Sequence, residues 1–317
     1  MTKKLDFILV GFFAMIVAVV PLVLRNDYYV GILVFIGINT ILVLGLNLLM
    51  GYAGQISLGH AAFFGLGAYA SSILTKTYGF PPVAALFLAS LFVGFVALIL
   101  GMPSLRLRGQ YLAMATLGFG IIMFILFKKL VFLTEGSDGM RNVPPFSIFG
   151  VIFSGKHKDI AYYYLTWVFA ILLLVLSLNL VNSRIGRALK SLHSSEIAAS
   201  SLGIDIKRYK ISIFVMSAMY ASIAGSIFAH FKNFVAPSDF DFKFSIQLVT
   251  MVVVGGMASI WGSIFGACIL TPLPEFLTIF EDFDIIIYGL ILMVIMIFMP
   301  EGLTRGVVDR IKRIISR

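Results

Sequence analysis

Charge is what this 317-residue sequence has least of: Asp, Glu, Lys and Arg make up 12% of it, against 60% hydrophobic residues. A soluble domain carries about 25% charged and 45–50% apolar residues, so no aqueous fold hides this much apolar surface. Disorder, a coiled coil and a nucleic-acid-binding module are excluded on the same ground, despite a net charge of +9. Only one cysteine is present, Cys268, so there is no internal disulfide and no cysteine metal cluster. It sits in an apolar run and reads as a packing residue. The four histidines, His60, His157, His193 and His230, form no HExxH pair or other ligand spacing. Ser and Asp are scattered without a nucleophile elbow. Gly150-Val-Ile-Phe-Ser-Gly155-Lys156-His157 approaches a phosphate loop but has histidine where the magnesium-binding hydroxyl is required, so any ATPase must be a separate chain.

What is present is a series of long apolar runs. Stretches without Asp, Glu, Lys or Arg cover 7–24, 28–75, 77–105, 109–127, 160–183, 211–231, 244–274 and 285–300. A helix crossing the hydrocarbon core needs about 20 mainly apolar residues. The 28–75 stretch holds two crossings, with the turn near Gly51, Gly54 and Gly59. Gly255 and Gly256 divide 244–274 into a short span and another running from about Trp261 to Phe280. The expected architecture is all-α and polytopic, with about ten transmembrane helices in a single domain over 1–317. The N-terminal run lacks a small-residue cleavage pattern after Pro21 and reads as a retained span. No span interior carries an acidic or basic side chain, which argues against a proton relay, a charged ion pathway or a membrane enzyme.

Orientation follows from Lys and Arg in short loops. An even span number puts both termini on one side. That side then holds Lys3, Lys4, Arg106, Arg108, the cluster from Arg184 to Lys210 and the tail from Arg305 to Arg317, most of the 24 bases. The opposite side receives Glu275, Glu281, Asp282 and Asp284. Both termini are expected to be cytoplasmic, with Lys128 and Lys129 the exceptions.

Three segments have the composition of working parts. Asn47 to Gly67 packs Gly51, Gly54, Gly59, Gly65 and Gly67 among Asn47, Gln55, Ser57 and His60. Unwound backbone at membrane depth survives only where protein or a watery cavity satisfies it, as in broken helices beside a translocation path. The glycines alone fit close helix packing equally well, whereas the polar set favours a path, since its desolvation needs partners. The segment Gly255-Gly256-Met-Ala-Ser259-Ile-Trp-Gly262-Ser263-Ile-Phe-Gly266 repeats that composition, and a packing seam at Gly262 and Gly266 is the alternative. The loop 184–210 carries a short helix that Ser194 or Ser195 caps, Glu196 opens and Gly203 ends, with Ile197, Ala198, Ala199 and Leu202 on it. Such a helix docks on another protein or lies on anionic lipid.

At these segments the chain resembles LivM-type permeases, the inner-membrane subunits of branched-chain amino acid ABC importers. The carrying runs are NLLMGYAGQISLGHAAFFGLGAYA at 47–70, RLRGQYLAMATLGFG at 106–120, TEGSDGMRNVP at 134–144, GRALKSLHSSEIAASSLGI at 186–204 and VGGMASIWGSIFGA at 254–267. The resemblance implies a type II importer permease with broken helices, working beside a second, LivH-type permease, two ATPase subunits that hold ATP and magnesium, and a periplasmic binding protein. It implies no cofactor on this chain and a multi-pass place in the bacterial inner membrane. It makes 184–210 the coupling loop, with Ala198, Ala199 and Gly203 matching an Ala-Ala-xxx-Gly core and Leu202 beside it. Glu196 stands one residue upstream of its commonest place. Asn47, Gly51, Gln55, Ser57, His60, Gly255, Gly256 and Ser259 are then candidate path residues, and alternating access moves leucine, isoleucine or valine inward. Related permeases for urea, short amides or simple sugars share the glycine-rich block and are the alternative. A self-sufficient channel or membrane enzyme is the reading from another class.

Overall fold

A computed structural model describes residues 3–24, 26–104, 109–148, 151–155 and 158–277, with single positions at 289, 290, 293 and 297. Most of the expected final span, the basic tail, Arg106, Arg108 and the Gly150, Lys156 and His157 positions lie outside the described residues. The helices are α1 (Lys3–Val23), α2 (Asp27–Asn47), α3 (His60–Lys76), α4 (Pro82–Ser104), α5 (Gln110–Lys129), α6 (Val131–Thr134), α7 (Lys158–Val181), α8 (Arg184–Ser194), α9 (Glu196–Ser201), α10 (Ile206–Lys232), α11 (Phe242–Gly255), α12 (Ile260–Leu270) and α13 (Leu273–Leu277). Among the described residues four two-residue strands form two antiparallel ribbons. In one, β1 (Met140–Arg141) pairs with β4 (Phe234–Val235); in the other, β2 (Ser147–Ile148) pairs with β3 (Val151–Ile152).

Among the described residues six helices are long and apolar enough to cross a membrane: Asp27–Tyr52, Pro82–Pro103, Gln110–Lys129, Lys158–Val181, Ile206–Lys232 and Ile260–Leu277. The uninterrupted apolar part of α1, Asp6–Pro21, is shorter. At about 1.5 Å per residue, 14-residue α11 rises only about 21 Å, against a hydrocarbon core of about 30 Å. The break at Gly255–Gly256 falls where the sequence places it.

Helix α2 is the centre of the bundle. It starts at Asn26, whose side chain accepts the Tyr28 N–H at 3.0 Å, and is apolar on every face, as a helix enclosed by others must be. Helices α7, α10 and α12 surround it. Glycine sets how close they come: a Cβ on Gly37 would lie 2.7 Å from Thr166 Cγ2, and one on Gly45 2.9 Å from Tyr220 Cβ. The α3–α10 seam is tighter still, because Gly67 lies against the Ser222 backbone and Gly225 against that of Phe64 and Ala68. Helix α1 rests on α7, where Tyr163 Oη donates to the Val17 carbonyl at 2.8 Å.

Buried polar groups pin one end of the bundle. His230 on α10 binds the Pro144 carbonyl through Nδ1 at 2.7 Å and Ser71 Oγ through Nε2 at 3.0 Å, while Ser71 meets Ser226 at 2.7 Å. Tyr162 Oη accepts the Phe146 N–H and donates to the His230 carbonyl. The 140–148 loop is thereby fixed to α3, α7 and α10, giving His230 a packing role.

Candidate functional site

Helix α2 does not end cleanly. It widens into a π turn over Leu48–Tyr52, then runs as irregular backbone through Ala53–Gly59, with Gly54 at φ +66°, before α3 begins. π turns are uncommon and gather at functional sites. Asn47 sits at the transition, fully buried. Its Nδ2 donates to the Ser259 carbonyl at 2.7 Å, to Ser263 Oγ at 2.8 Å and to the Gly256 carbonyl at 3.4 Å, and its Oδ1 accepts the Ala258 N–H at 3.0 Å. The amide therefore clamps the break in α2 to the α11–α12 turn. Gly51 lets the two backbones meet, since a Cβ there would collide with the Ala258 amide. Gly255 and Gly262 lie backbone to backbone across that turn. Of the sequence candidates, Asn47, Gly51, Gly255, Gly256 and Ser259 thus form one joint between the two glycine-rich segments.

Gln55, Ser57 and His60 form the second group. All three are buried, yet both polar atoms of the Gln55 amide, Ser57 Oγ and His60 Nε2 have no hydrogen-bond partner among the described residues. The other His60 nitrogen meets the Leu42 carbonyl. The backbone on either side is held: Leu58 N–H donates to Thr116 Oγ1 at 3.0 Å and Ala61 N–H to Ser245 Oγ at 3.1 Å.

The 184–210 loop lies beneath this break. Helix α8, which the sequence reading did not foresee, is capped by Ser183 and buries Gly186, Ala188, Leu189 and Leu192. It touches the broken segment, for a Cβ on Gly54 would lie 2.9 Å from His193 Nδ1, and Lys190 Nζ lies 5.8 Å from the Tyr52 ring centre. Ser195 caps α9 through the Ala198 N–H at 3.3 Å, and Gly203 follows its end at φ +78°. Ala199 is buried, whereas Ile197 and Leu202 are each 78% exposed. Glu196 forms an ion pair with Lys210, itself buried at the start of α10. That carboxylate therefore ties α9 to the bundle.

One pair of charges lies where the sequence reading placed none. After β4 the chain turns back into the bundle over a 3₁₀ turn, Pro237–Phe240. A Cβ on Gly65 would lie 3.1 Å from Phe240 Cβ, and Ser245 reaches the α3 start at Ala61. Asp241 and Lys243 therefore lie level with Ala61–Gly65. Along α3 that is about 16–22 Å from Lys76, whose ion pair with Glu135 marks the far end of the helix. Counting charge-free runs could not find this, because 232–243 reads as an ordinary polar loop.

A mostly helical chain with membrane-length apolar spans, a helix broken among them and a loop helix presenting bare apolar side chains is a multi-pass membrane permease. The chain belongs to the family of permease components of the branched-chain amino acid transport system, whose model matches residues 28–300. It is a family of transport subunits and not of enzymes. The chain is 34% identical over 325 residues to the high-affinity branched-chain amino acid transport system permease protein LivM of Escherichia coli K12, covering 95% of this chain and 75% of the relative. It is 35% identical over 289 residues to the LivM of Salmonella typhimurium, covering 84% and 67%. The E. coli permease protein LivH is 25% identical over 284 residues, covering 83% and 90%. No solved structure matches the chain significantly.

Proposed function

We propose that the chain is the LivM-type permease subunit of an ABC importer that brings leucine, isoleucine and valine into the cell. The observation that carries this is the family match over nearly the whole chain, joined to a loop helix with the exposure a coupling element needs. The chain works beside a homologous LivH-type permease, two ATPase subunits that bind ATP and magnesium, and a soluble binding protein that selects the amino acid. It crosses the inner membrane about ten times, with both termini cytoplasmic.

Coupling runs through α9. Ile197 and Leu202 project as apolar anchors into an ATPase groove, Ala198 and Gly203 allow close approach, Ala199 seats the helix on the bundle, and Glu196 ties it to α10. ATP binding draws the ATPases together, α9 and α8 shift with them, and α8 pushes on the segment it touches at Gly54 and Tyr52. Gln55, Ser57 and His60 support a path role by their unmatched polar atoms. A buried polar group without a partner costs about 1–3 kcal/mol, and water or passing substrate in another state relieves that. Asn47, Gly51, Gly255, Gly256 and Ser259 serve as the joint about which the broken helix moves. A ligand shifts such an equilibrium only by its different affinity for the two states.

Uptake of labelled leucine in cells lacking this chain, with labelled urea alongside, tests the reading. Loss of leucine uptake alone, restored by this chain, is expected. Loss of urea uptake instead would move the substrate to the sister branch of these permeases.

A further inference from the structure

The charged pair at the start of α11 is unaccounted for by clamp or coupling. Asp241 caps α11, accepting the Phe244 N–H at 3.0 Å with Oδ1, and its second oxygen has no partner among the described residues. Lys243 is exposed and forms no ion pair with any described residue. Asp239 differs, being engaged by Lys232 at 3.1 Å and by the Ala236 N–H. Exposed charge at the depth of Ala61–Gly65 is not tolerated against lipid tails; it faces water or protein.

Two cavities meet at this pair, and both have Asp241 and Lys243 in their walls. One, about 410 Å³, is otherwise mainly apolar, with Leu58 from the broken segment and Leu117, Ile121 and Phe124 from α5. The other, about 380 Å³, carries Asn39, Ser238, Gln247 and the Lys232-paired Asp239 beside Phe64 and Phe228. Both fall in the size range of small-molecule sites. One cation and one anion not paired with another described charge, two residues apart at the seam between an apolar hollow and a more polar one, match a small zwitterion with a greasy side chain.

We infer that Asp241 and Lys243 form a transient amino-acid site inside the permease, with Asp241 taking the α-ammonium, Lys243 the α-carboxylate, and the cavity of Leu58, Leu117, Ile121 and Phe124 the branched side chain. This rests on the amino acid reading above. The contact is weak by design, because one Asp241 oxygen is committed to the helix cap and Lys243 sits on a flexible stem. A relay station needs that weakness, since tight binding would stop release.

The test uses the assembled importer in proteoliposomes with a Cys268→Ser background. Asp241→Asn keeps the helix cap and removes the charge, and Lys243→Gln removes the other. Each is expected to lower leucine transport at saturating binding protein by about ten- to a hundredfold, the loss for one charge-assisted contact, while the second permease and ATPases still co-purify. Phe242→Cys, on the apolar cavity wall, is expected to react with a water-borne thiol reagent, and leucine but not urea should slow that reaction. Wild-type transport by both charge variants would overturn the site and leave the amino acid reading standing. So would an unreactive Phe242→Cys combined with loss of the second permease from both charge variants, which would place the pair in a subunit interface. Urea transport without leucine transport by the unaltered importer would overturn the parent reading, and this site with it.

Discussion

Asn47 shows how one side chain can hold two broken segments together. Its four hydrogen bonds all go to the α11–α12 turn and the helix that follows it, and no solvent reaches them. Asn47→Ala leaves the N–H of part-buried Ala258 without its partner and removes one of the two hydrogen bonds to the Ser259 carbonyl, which keeps the Ser263 N–H, at about 1–3 kcal/mol in all. A lower unfolding midpoint in detergent is expected, followed through the reaction of Cys268, which lies half-buried on α12. Asn47→Asp should be worse, because it keeps the acceptor for Ala258 but turns an anion toward the Ser259 carbonyl. An unchanged midpoint for both variants would remove the clamp from the account. At this scale the sequence was partly legible. Its polar residues in an apolar run marked the place, but spacing could not separate Asn47, with every bond made, from Gln55, with none. That difference is decided by residues more than 200 positions away along the chain.

At the scale of elements, α8, α9 and the broken segment act as one stack. The short helix after Ser195 was legible because capping and termination are local: a serine, an acid in the first turn and a glycine suffice. Helix α8 was not, since its apolar residues sit among basic ones and read as loop until α2, α7 and α10 give them something to bury against. The re-entrant turn at 236–241 was hidden for the complementary reason, being polar in sequence and placed at depth only by Phe240 packing on Gly65. Two substitutions test the stack. Gly203 is at φ +78° with open space around its Cα, so Gly203→Ala adds only backbone strain, about 1–2 kcal/mol. Gly203→Leu adds the same strain plus bulk where an ATPase would sit. In the assembled importer, Gly203→Leu and Ile197→Asp are expected to cut leucine transport by about tenfold or more, as loss of an interface anchor does, with the chain still inserted and ATP still hydrolysed. Full transport by Gly203→Leu would show that α9 does not couple the ATPases to this chain.

The whole molecule has two unlike ends and apolar sides. Phe87, Leu91, Phe95 and Ile99 stand exposed at four-residue intervals along α4, and Met114, Ile122 and Ile125 on α5, a surface that only lipid or another apolar subunit can cover. One end gathers Tyr28 with Glu275, Lys76 with Glu135 and Lys232 with Asp239, basic and acidic groups in pairs. The other end carries Arg184, Arg187, Lys190, Lys207 and Arg208 with few acids among them, the imbalance that marks a cytoplasmic face. Orientation is thus a prediction that single-cysteine labelling decides. Tyr78, 67% exposed in the turn between α3 and α4, belongs to the paired end, and Ile197 to the basic one. In a Cys268→Ser background, Tyr78→Cys should react with an impermeant thiol reagent on intact spheroplasts, and Ile197→Cys only after the membrane is opened. The reverse pattern would place α9 outside, beyond reach of any ATPase, and the coupling role would fall with the orientation. If both positions react only in opened vesicles, the two ends are not on opposite sides, and α3 does not lead from one face of the membrane to the other.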